Sequence, residues 1–496
     1  MSYVLGVDLG TSAVKVLLVD KKGTVHQSVS RDYPLYHEKA GWSEQDPEDW
    51  VKATIEAVKE IAESVESASD IEGMSFSGQM HGLVLLDKDN APLRRAILWN
   101  DTRTTAQCRE IEEKLGLEKL HRITKNPALE GFTLPKILWV KENEPELFNQ
   151  AETFVLPKDY VRYALTGNVH MDYSDAAGTL LLDVAEQEWS EEVCTAVGIS
   201  PSLCPPLTAS HADTGALKEE IKQQTGLNDV RVFAGGADNA CGAIGTGILE
   251  EGAVLSSTGT SGVVLAYENE GTKDFGGKVH YFNHGEENSF YTMGVTLAAG
   301  HSFTWFKETF APEKSFEELL ELAAKSPAGA QGLLFTPYIS GERTPHPDAE
   351  VRGSFIGMHA SHTLGDFTRA VIEGITFSLQ ETMVMFKEQG KTIDRVVATG
   401  GGAKSDLWLQ IQADIYNAPI VKLKSEQGPG LGAAMLAAYG SGWFGSLKEA
   451  ADIFVEEKER FQPDTKQVEI YKKLFPLYQQ IYSATSSLSA ELKDYR

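Results

Sequence analysis

The same short pattern occurs twice in this chain, half its length apart. Near the start an apolar run (Val4, Leu5, Val7, Leu9) meets Gly10-Thr11-Ser12 and gives way to a second apolar run from Ala13 to Val19. Much later Ala253 to Ser257 leads into Gly259-Thr260-Ser261 and then Gly262 to Tyr267. Each copy reads as strand, tight turn and strand, a β-hairpin. A period of half of 496 residues is far too long for a solenoid and implies a duplicated domain, two related units facing each other. That length suits two large domains or three smaller ones. The boundary is expected between Gly245 and Gly252, giving halves 1–245 and 246–496. With no low-complexity linker there, the halves should be closely apposed.

Helical periodicity marks Pro47 to Val65, Thr104 to Leu115, Ser315 to Ala324, Asp366 to Glu388 and Lys448 to Phe461. Strand-like runs stand at Arg231 to Ala234 and Arg395 to Thr399. Strands alternating with helices in both halves indicate α/β layers, and 42% hydrophobic residues suffice for sizeable cores. The charge balance, 45 basic against 71 acidic residues, gives a net charge of −26. Such a surface disfavours nucleic acid and anionic lipid as partners. An anionic ligand must then be held locally, by backbone N–H groups or a metal ion. Cys108, Cys194, Cys204 and Cys241 form no C-x-x-C pair and no metal-like spacing, as suits a reducing compartment. With no basic leader and no long apolar run, a soluble cytoplasmic protein is expected, with no membrane partner.

Three glycine clusters follow strand-like runs: Asp8 to Ser12, Ser257 to Gly262 and Thr399 to Ala403. There, backbone N–H groups and hydroxyls can converge on phosphate oxygens with no bulky side chain in the way. Better-known nucleotide motifs fail. Gly390-Lys391-Thr392 ends a helix and Met385 stands where a P-loop needs its first glycine, while Gly242 to Gly247 lacks the G-x-G-x-x-G spacing. Asp8 at a strand end suits either a carboxylate holding water on Mg²⁺ or a turn cap. Asp238, flanked by small residues, suits either approach of a substrate hydroxyl or a helix N-cap. His81 lies between glycines in Gly78-Gln79-Met80-His81-Gly82, open to a ligand. Ile97 to Arg103 mixes aromatic, amide and cation as sugar-binding surfaces do; a strand end with a buried Trp99 and an Asp-Arg pair would read the same way. Gly428 to Ala438 reads as a small-residue helix packed closely on its neighbour.

Taken together these residues resemble the FGGY family of carbohydrate kinases. Gly131 to Asn143 (GFTLPKILWVKEN) fits the family's first signature and Glu373 to Leu379 (EGITFSL) is similar to its second, and the likeness runs almost end to end. The Met80-His81 pair and the Ile97 to Arg103 segment resemble the family's ketopentose kinases; its glycerol kinases carry Arg-Glu at that pair. The resemblance implies two duplicated domains of the actin, Hsp70 and hexokinase type, ribonuclease H-like α/β units flanking a catalytic cleft. Sugar would be held mainly by the first and ATP mainly by the second. It implies Asp238 as general base and Asp8 as catalytic carboxylate and Mg²⁺ ligand. Met80, His81, Asp238 and Asn239 would contact the sugar, with Trp99 and Arg103 as further pocket candidates. For ATP it implies Thr11, Ser12, Lys15, Gly259, Thr260, Gly300, Gly401 and Gly402, with Trp305 lining the nucleotide side. Glycerol kinases have asparagine where this chain has Asp406, a departure on the adenine side. The expected reaction is phosphorylation of D-xylulose at its C5 hydroxyl by ATP. Rivals are another ketopentose or polyol (ribulose, glycerol) as acceptor, or an actin-like ATPase. The sequence is silent on oligomeric state; the resemblance points to a homodimer, since the family often forms dimers.

Overall fold

The computed structural model describes residues 2–496. Two seven-stranded sheets dominate the described residues. The first contains β1 (Tyr3–Leu9), β2 (Ala13–Asp20), β3 (Val25–Asp32), β4 (Ile71–Gly78), β5 (Asp213–Ala216) and β6 (Arg231–Phe233), in the order β5-β6-β4-β1-β2-β3. A two-residue strand, Gly236–Ala237, pairs with the end of β4. The second contains β7 (Gly252–Thr258), β8 (Gly262–Glu268), β9 (His280–Asn283), β10 (Phe290–Thr296), β11 (Ile393–Gly400), β12 (Ile420–Leu423) and β13 (Glu457–Phe461), in the order β9-β10-β8-β7-β11-β12-β13. Both sheets share one plan: β1 and β7 each pair antiparallel with the strand after a Gly-Thr-Ser turn and parallel with a later strand on the other side. The half-chain repeat is therefore a repeat of architecture.

The principal helices include α1 (Pro47–Ser64), α2 (Asp238–Gly245), α3 (Gly300–Phe310), α4 (Leu364–Glu388), α5 (Gly428–Gly440), α6 (Leu447–Phe454) and α7 (Thr465–Glu491). The alternation of β1 explains its packing. Leu5, Val7 and Leu9 share a core with Trp50, Ala57 and Ile61 of α1. Val4 belongs to a separate cluster with α5 and α6. On that second face stands Gly6, where a Cβ would come within 2.1 Å of the Gly430 carbonyl oxygen. A side chain there would push α5 off the sheet. Thus α5, from the second half of the sequence, rests on the sheet of the first half.

The same helix closes the seam between halves. A Cβ on Gly245 would lie 1.9 Å from Gly428 O, and one on Gly432 would lie 1.9 Å from Cys241 O. The axes of α2 and α5 approach so closely that only glycine fits at either contact. This is the close small-residue packing expected for Gly428 to Ala438.

One expectation needs correction. Lys448 to Phe461 is not one helix: α6 ends at Phe454 and Glu457–Phe461 is an edge strand, antiparallel to β12. Its charged residues pair as readily along an exposed edge as along a helix face, and the free edge of β12 decides between them. The final helix, α7, packs on the second half. Tyr471 Oη donates to Glu373 Oε1 at 2.6 Å, and Phe377 stacks among Tyr471, Phe475 and Tyr478. No helix among the described residues is long and apolar enough to cross a membrane.

Candidate active site

Sheet register assembles the first part of the site. Asp8 pairs across β1–β2 with Lys15 and across β1–β4 with Ser77, so three side chains form a row on one face. Gly236 then pairs with Ser77 and Ala237 with Gly78, which delivers Asp238 beyond the strand end as the first residue of α2. Burial lifts the Asp8 carboxyl above the ordinary range, opposed by Ser77 and Lys15. Asp238 is pushed up to about 7, first by burial and then by the charge of Asp8, against one N–H donated by Asn239. Asp238 therefore does not cap α2; its Oδ1 accepts from Asn239 N at 2.7 Å and Asn239 Nδ2 at 3.0 Å.

His81 approaches from the loop after β4, with φ at +68°, a left-handed conformation that is uncommon outside glycine. Its Nδ1 lies 2.7 Å from the Gly178 carbonyl oxygen, which makes Nδ1 the donor and leaves Nε2 an acceptor. Burial and the nearby Lys136 charge lower its pKa to about 3, so the ring is neutral. Lys136 and Thr133, from the segment that carries the first signature, donate to the His81 carbonyl oxygen at 3.0 and 3.1 Å. The ring packs against Phe132 at 4.6 Å and Phe282 of β9 at 6.2 Å, so the second half touches His81. Met80 Sδ accepts from Asn239 Nδ2 at 3.4 Å.

The turns of the two hairpins face this group from either side. Trp99, half-exposed, donates its indole N–H to Thr11 Oγ1 at 3.0 Å, joining a sugar-side candidate to a nucleotide-side one. Lys15 Nζ reaches Gln427 Oε1, beside the start of α5, at 3.4 Å. In the second half, Gly300 N and His301 N donate to the carbonyl oxygens of Gly259 and Thr260 at 2.8 and 3.1 Å, seating the start of α3 on the turn. Gly400, at φ +79°, and Gly402 close on Thr258, where Cβ atoms would stand 2.6 and 2.8 Å from its atoms. A cavity of about 300 Å³ links the halves, with Asp238 and Asn239 in its wall together with Ser257, Thr399, Gly400 and Gly428. That volume lies in the range of small-ligand sites.

Three other sequence candidates have different surroundings. Arg103 is only 2% exposed, held between Asp101 at 2.6 Å and Glu44 at 2.8 Å with its guanidinium 3.6 Å from the Trp42 ring. It is the Asp-Arg pair of the alternative reading, although Trp99 is not buried. Trp305 packs edge-on to Phe310 and parallel to Phe335. Asp406 begins a helix (Asp406–Tyr416) and takes a hydrogen bond from Lys422 at 3.0 Å. Sequence reasoning missed Gln45 and Gln79. Gln45 Nε2 donates to the Thr11 carbonyl oxygen at 2.7 Å, and its Oε1 accepts from Gln79 and Trp50, both at 3.0 Å. Only Gln79 had a local signal, its place between Gly78 and Met80.

A paired-hairpin α/β fold in which Asp8 acts electrostatically on Asp238, and a cavity runs from Asp238 to the glycine clusters at Ser257 and Thr399 to Gly400, suits a phosphotransferase of the sugar-kinase class. Sequence profiles of the FGGY family of carbohydrate kinases match both halves, its N-terminal domain over residues 3–245 and its C-terminal domain over residues 254–441. The chain belongs to this family and is an ATP-dependent sugar kinase. It is 58% identical to the xylulose kinase of Bacillus subtilis (strain 168), with 100% of each chain covered. Among solved structures it is similar to a ligand-bound xylulose kinase from Lactobacillus acidophilus, with a TM-score of 0.95 and 30% identity over 99% of this chain and 100% of that one. A gluconate kinase from Lactobacillus acidophilus matches almost equally, with a TM-score of 0.94, 30% identity and the same coverage.

Proposed function

We propose that this chain transfers the γ-phosphoryl group of ATP to the C5 hydroxyl of D-xylulose, giving D-xylulose 5-phosphate and ADP. The observation that carries the reading is Asp238, a carboxylate with raised proton affinity in the wall of the cavity joining the two halves. The full-length likeness to xylulose kinases supports the choice of sugar. Residues 1–245 hold mainly the sugar and residues 246–496 mainly ATP, with α5 crossing back to buttress the first sheet.

Phosphoryl transfer passes through a loose transition state, so catalysis rests on alignment and on stabilising spread charge. Asp238 takes the C5 proton; a carboxyl near 7 is a far better acceptor at neutral pH than an ordinary aspartate. Neutral His81 accepts a sugar hydroxyl at Nε2, and the Asn239 amide is steadied by Met80 and Asp238. The Gly-Thr-Ser turns offer N–H and hydroxyl groups to phosphate, with Lys15 beside the first. The Asp8 charge raises the electrostatic cost of ionising Asp238, and Lys15 acts on Asp8, so the pair of carboxylates fits a divalent cation. Asp8 would hold Mg²⁺, which when bound supplies charge neutralisation for the phosphates. The four free thiols accord with a reducing cytoplasm.

Coupled ADP release from MgATP tests the reading with D-xylulose, D-ribulose, L-ribulose, glycerol, gluconate and no acceptor. A kcat/KM for D-xylulose well above the others is expected. A dominant gluconate signal would transfer the substrate assignment, and acceptor-independent hydrolysis at an equal rate would end it.

A further inference from the structure

Beneath the cleft floor Lys158, Asp159, Arg162, Asp172 and Asp175 are packed together with no exposure at all. Lys158 Nζ lies 2.7 Å from Asp159, 2.7 Å from Asp172 and 3.0 Å from Asp175, so an ammonium fills the space that three carboxylates would otherwise offer a metal. Burial holds the Asp175 carboxyl well above its usual range, against the pull of Lys158. Buried charge of this kind is expensive and contributes little to net stability. Its contacts point to another role.

The loop from Ala234 to Asp238 is gripped at both ends by this cluster. Arg162 Nη1 donates to the Ala234 carbonyl oxygen at 3.0 Å while also binding Asp159 at 2.9 Å. Ser174 Oγ accepts the Ala237 N–H at 2.9 Å and donates to Asp172 Oδ2, whose other oxygen meets Lys158. Ser174 sits in a short helix, Tyr173–Ala177, and the next residue, Gly178, is the one whose carbonyl oxygen holds His81. A Cβ on Gly178 would stand 2.8 Å from His81 Nδ1 and 3.1 Å from Met80 Cε, so the backbone touches the ligand loop directly. One rigid segment, 172–178, thus contacts the residue before Asp238 and the ring of His81.

We propose that Ser174 is a positioning residue that fixes Asp238 relative to His81, with Lys158 and Asp172 locking the hydroxyl in one orientation. Its effect on turnover rests on the sugar-kinase reading; its effect on the Asp238 loop does not. Ser174→Ala removes the acceptor for Ala237 without adding volume. Ser210→Ala is the matched control, because Ser210 Oγ donates to the same Asp172 Oδ2 at 3.0 Å and makes no side-chain contact with Ala237. Two readouts are taken on the full chain: amide exchange of peptides covering 234–241 by mass spectrometry, and steady-state kinetics with D-xylulose. Ser174→Ala should speed exchange at Ala237 about tenfold, the worth of one hydrogen bond. It should lower kcat about tenfold through misplacement of the base, with sugar KM changing about twofold or less. Ser210→Ala should leave both readouts near the unsubstituted chain. Equal kcat losses in the two variants, no loss in either, or loop-like exchange at Ala237 in the unsubstituted chain would each overturn the proposal. If the unsubstituted chain releases no ADP with any acceptor, the kinase substrate reading fails instead, and the exchange measurement alone decides the Ser174 contact.

Discussion

Asp238 has a proton affinity that its neighbours in sequence do not explain. Its carboxyl is pushed up to about 7 by burial and by Asp8, a residue placed beside it only through the pairing of β1, β4 and the Gly236–Ala237 strand. Asp238→Asn should lower kcat by roughly 10²- to 10⁴-fold, the range for loss of a general base, while circular dichroism stays unchanged. In the unsubstituted enzyme kcat/KM should fall as pH drops through about 7, because the base then carries its proton. Stability should move the other way. The folded chain keeps this proton to higher pH than the unfolded chain, so raising pH from about 4 to about 7 removes stability, and the asparagine variant should become the more stable protein at the upper end. Denaturant midpoints for both chains across that range check the sign. The small neighbours of Asp238 left an acid facing a substrate hydroxyl and a helix cap both open, and only the family resemblance implied a base; its proton affinity was not legible at all, since it depends on distant residues. The same holds for Ser174 and Asp172, which have no local mark beyond a turn-like Met-Asp-Tyr-Ser-Asp run and act through the fold.

At the level of elements, local signals were read well where periodicity and turn chemistry agree. Both Gly-Thr-Ser hairpins, α1 and α4 lie close to where their apolar spacing places them. Glu457–Phe461 failed because a charged run fits an edge strand or a helix face, and the available edge of β12 is a tertiary fact. The glycines of α2 and α5 carry a different kind of information. Gly432 has no room for a methyl group against Cys241 O, whereas a Cβ on Gly242, in the facing helix, would meet nothing nearer than Pro429 Cγ at 3.8 Å. Gly432→Ala should therefore destabilise by about 1–3 kcal/mol through forced separation of the helices. Gly242→Ala should be neutral or slightly stabilising, since alanine favours a helix by about 1 kcal/mol over glycine. Thermal unfolding of the two variants side by side makes the comparison, and equal midpoints would show that the seam yields more easily than its geometry implies.

For the whole molecule, contacts between the halves differ in kind. On one side the small-residue faces of α2 and α5 meet backbone to backbone at Gly245 and Gly432. On the other, β9 lies against the loop of the first half that precedes the first signature. Asn126 Nδ2 donates to the Tyr281 carbonyl oxygen at 2.8 Å, Tyr281 N donates back to Asn126 Oδ1 at 3.2 Å, and Phe132 packs among His280 and Phe282. A smooth seam permits small rotation, while the Asn126 contact restrains the sugar side, so closure should swing the nucleotide-side turns of the second half toward Asp238. Catalysis gives that motion a purpose, because water in an open site would compete with the C5 hydroxyl for the phosphoryl group. Small-angle scattering of the apo chain, of the chain with D-xylulose, and of the chain with D-xylulose and a non-hydrolysable ATP analogue should show a stepwise fall in radius of gyration. Superimposable profiles for all three would mean that the halves are already fixed and that water must be excluded by the cavity as it stands.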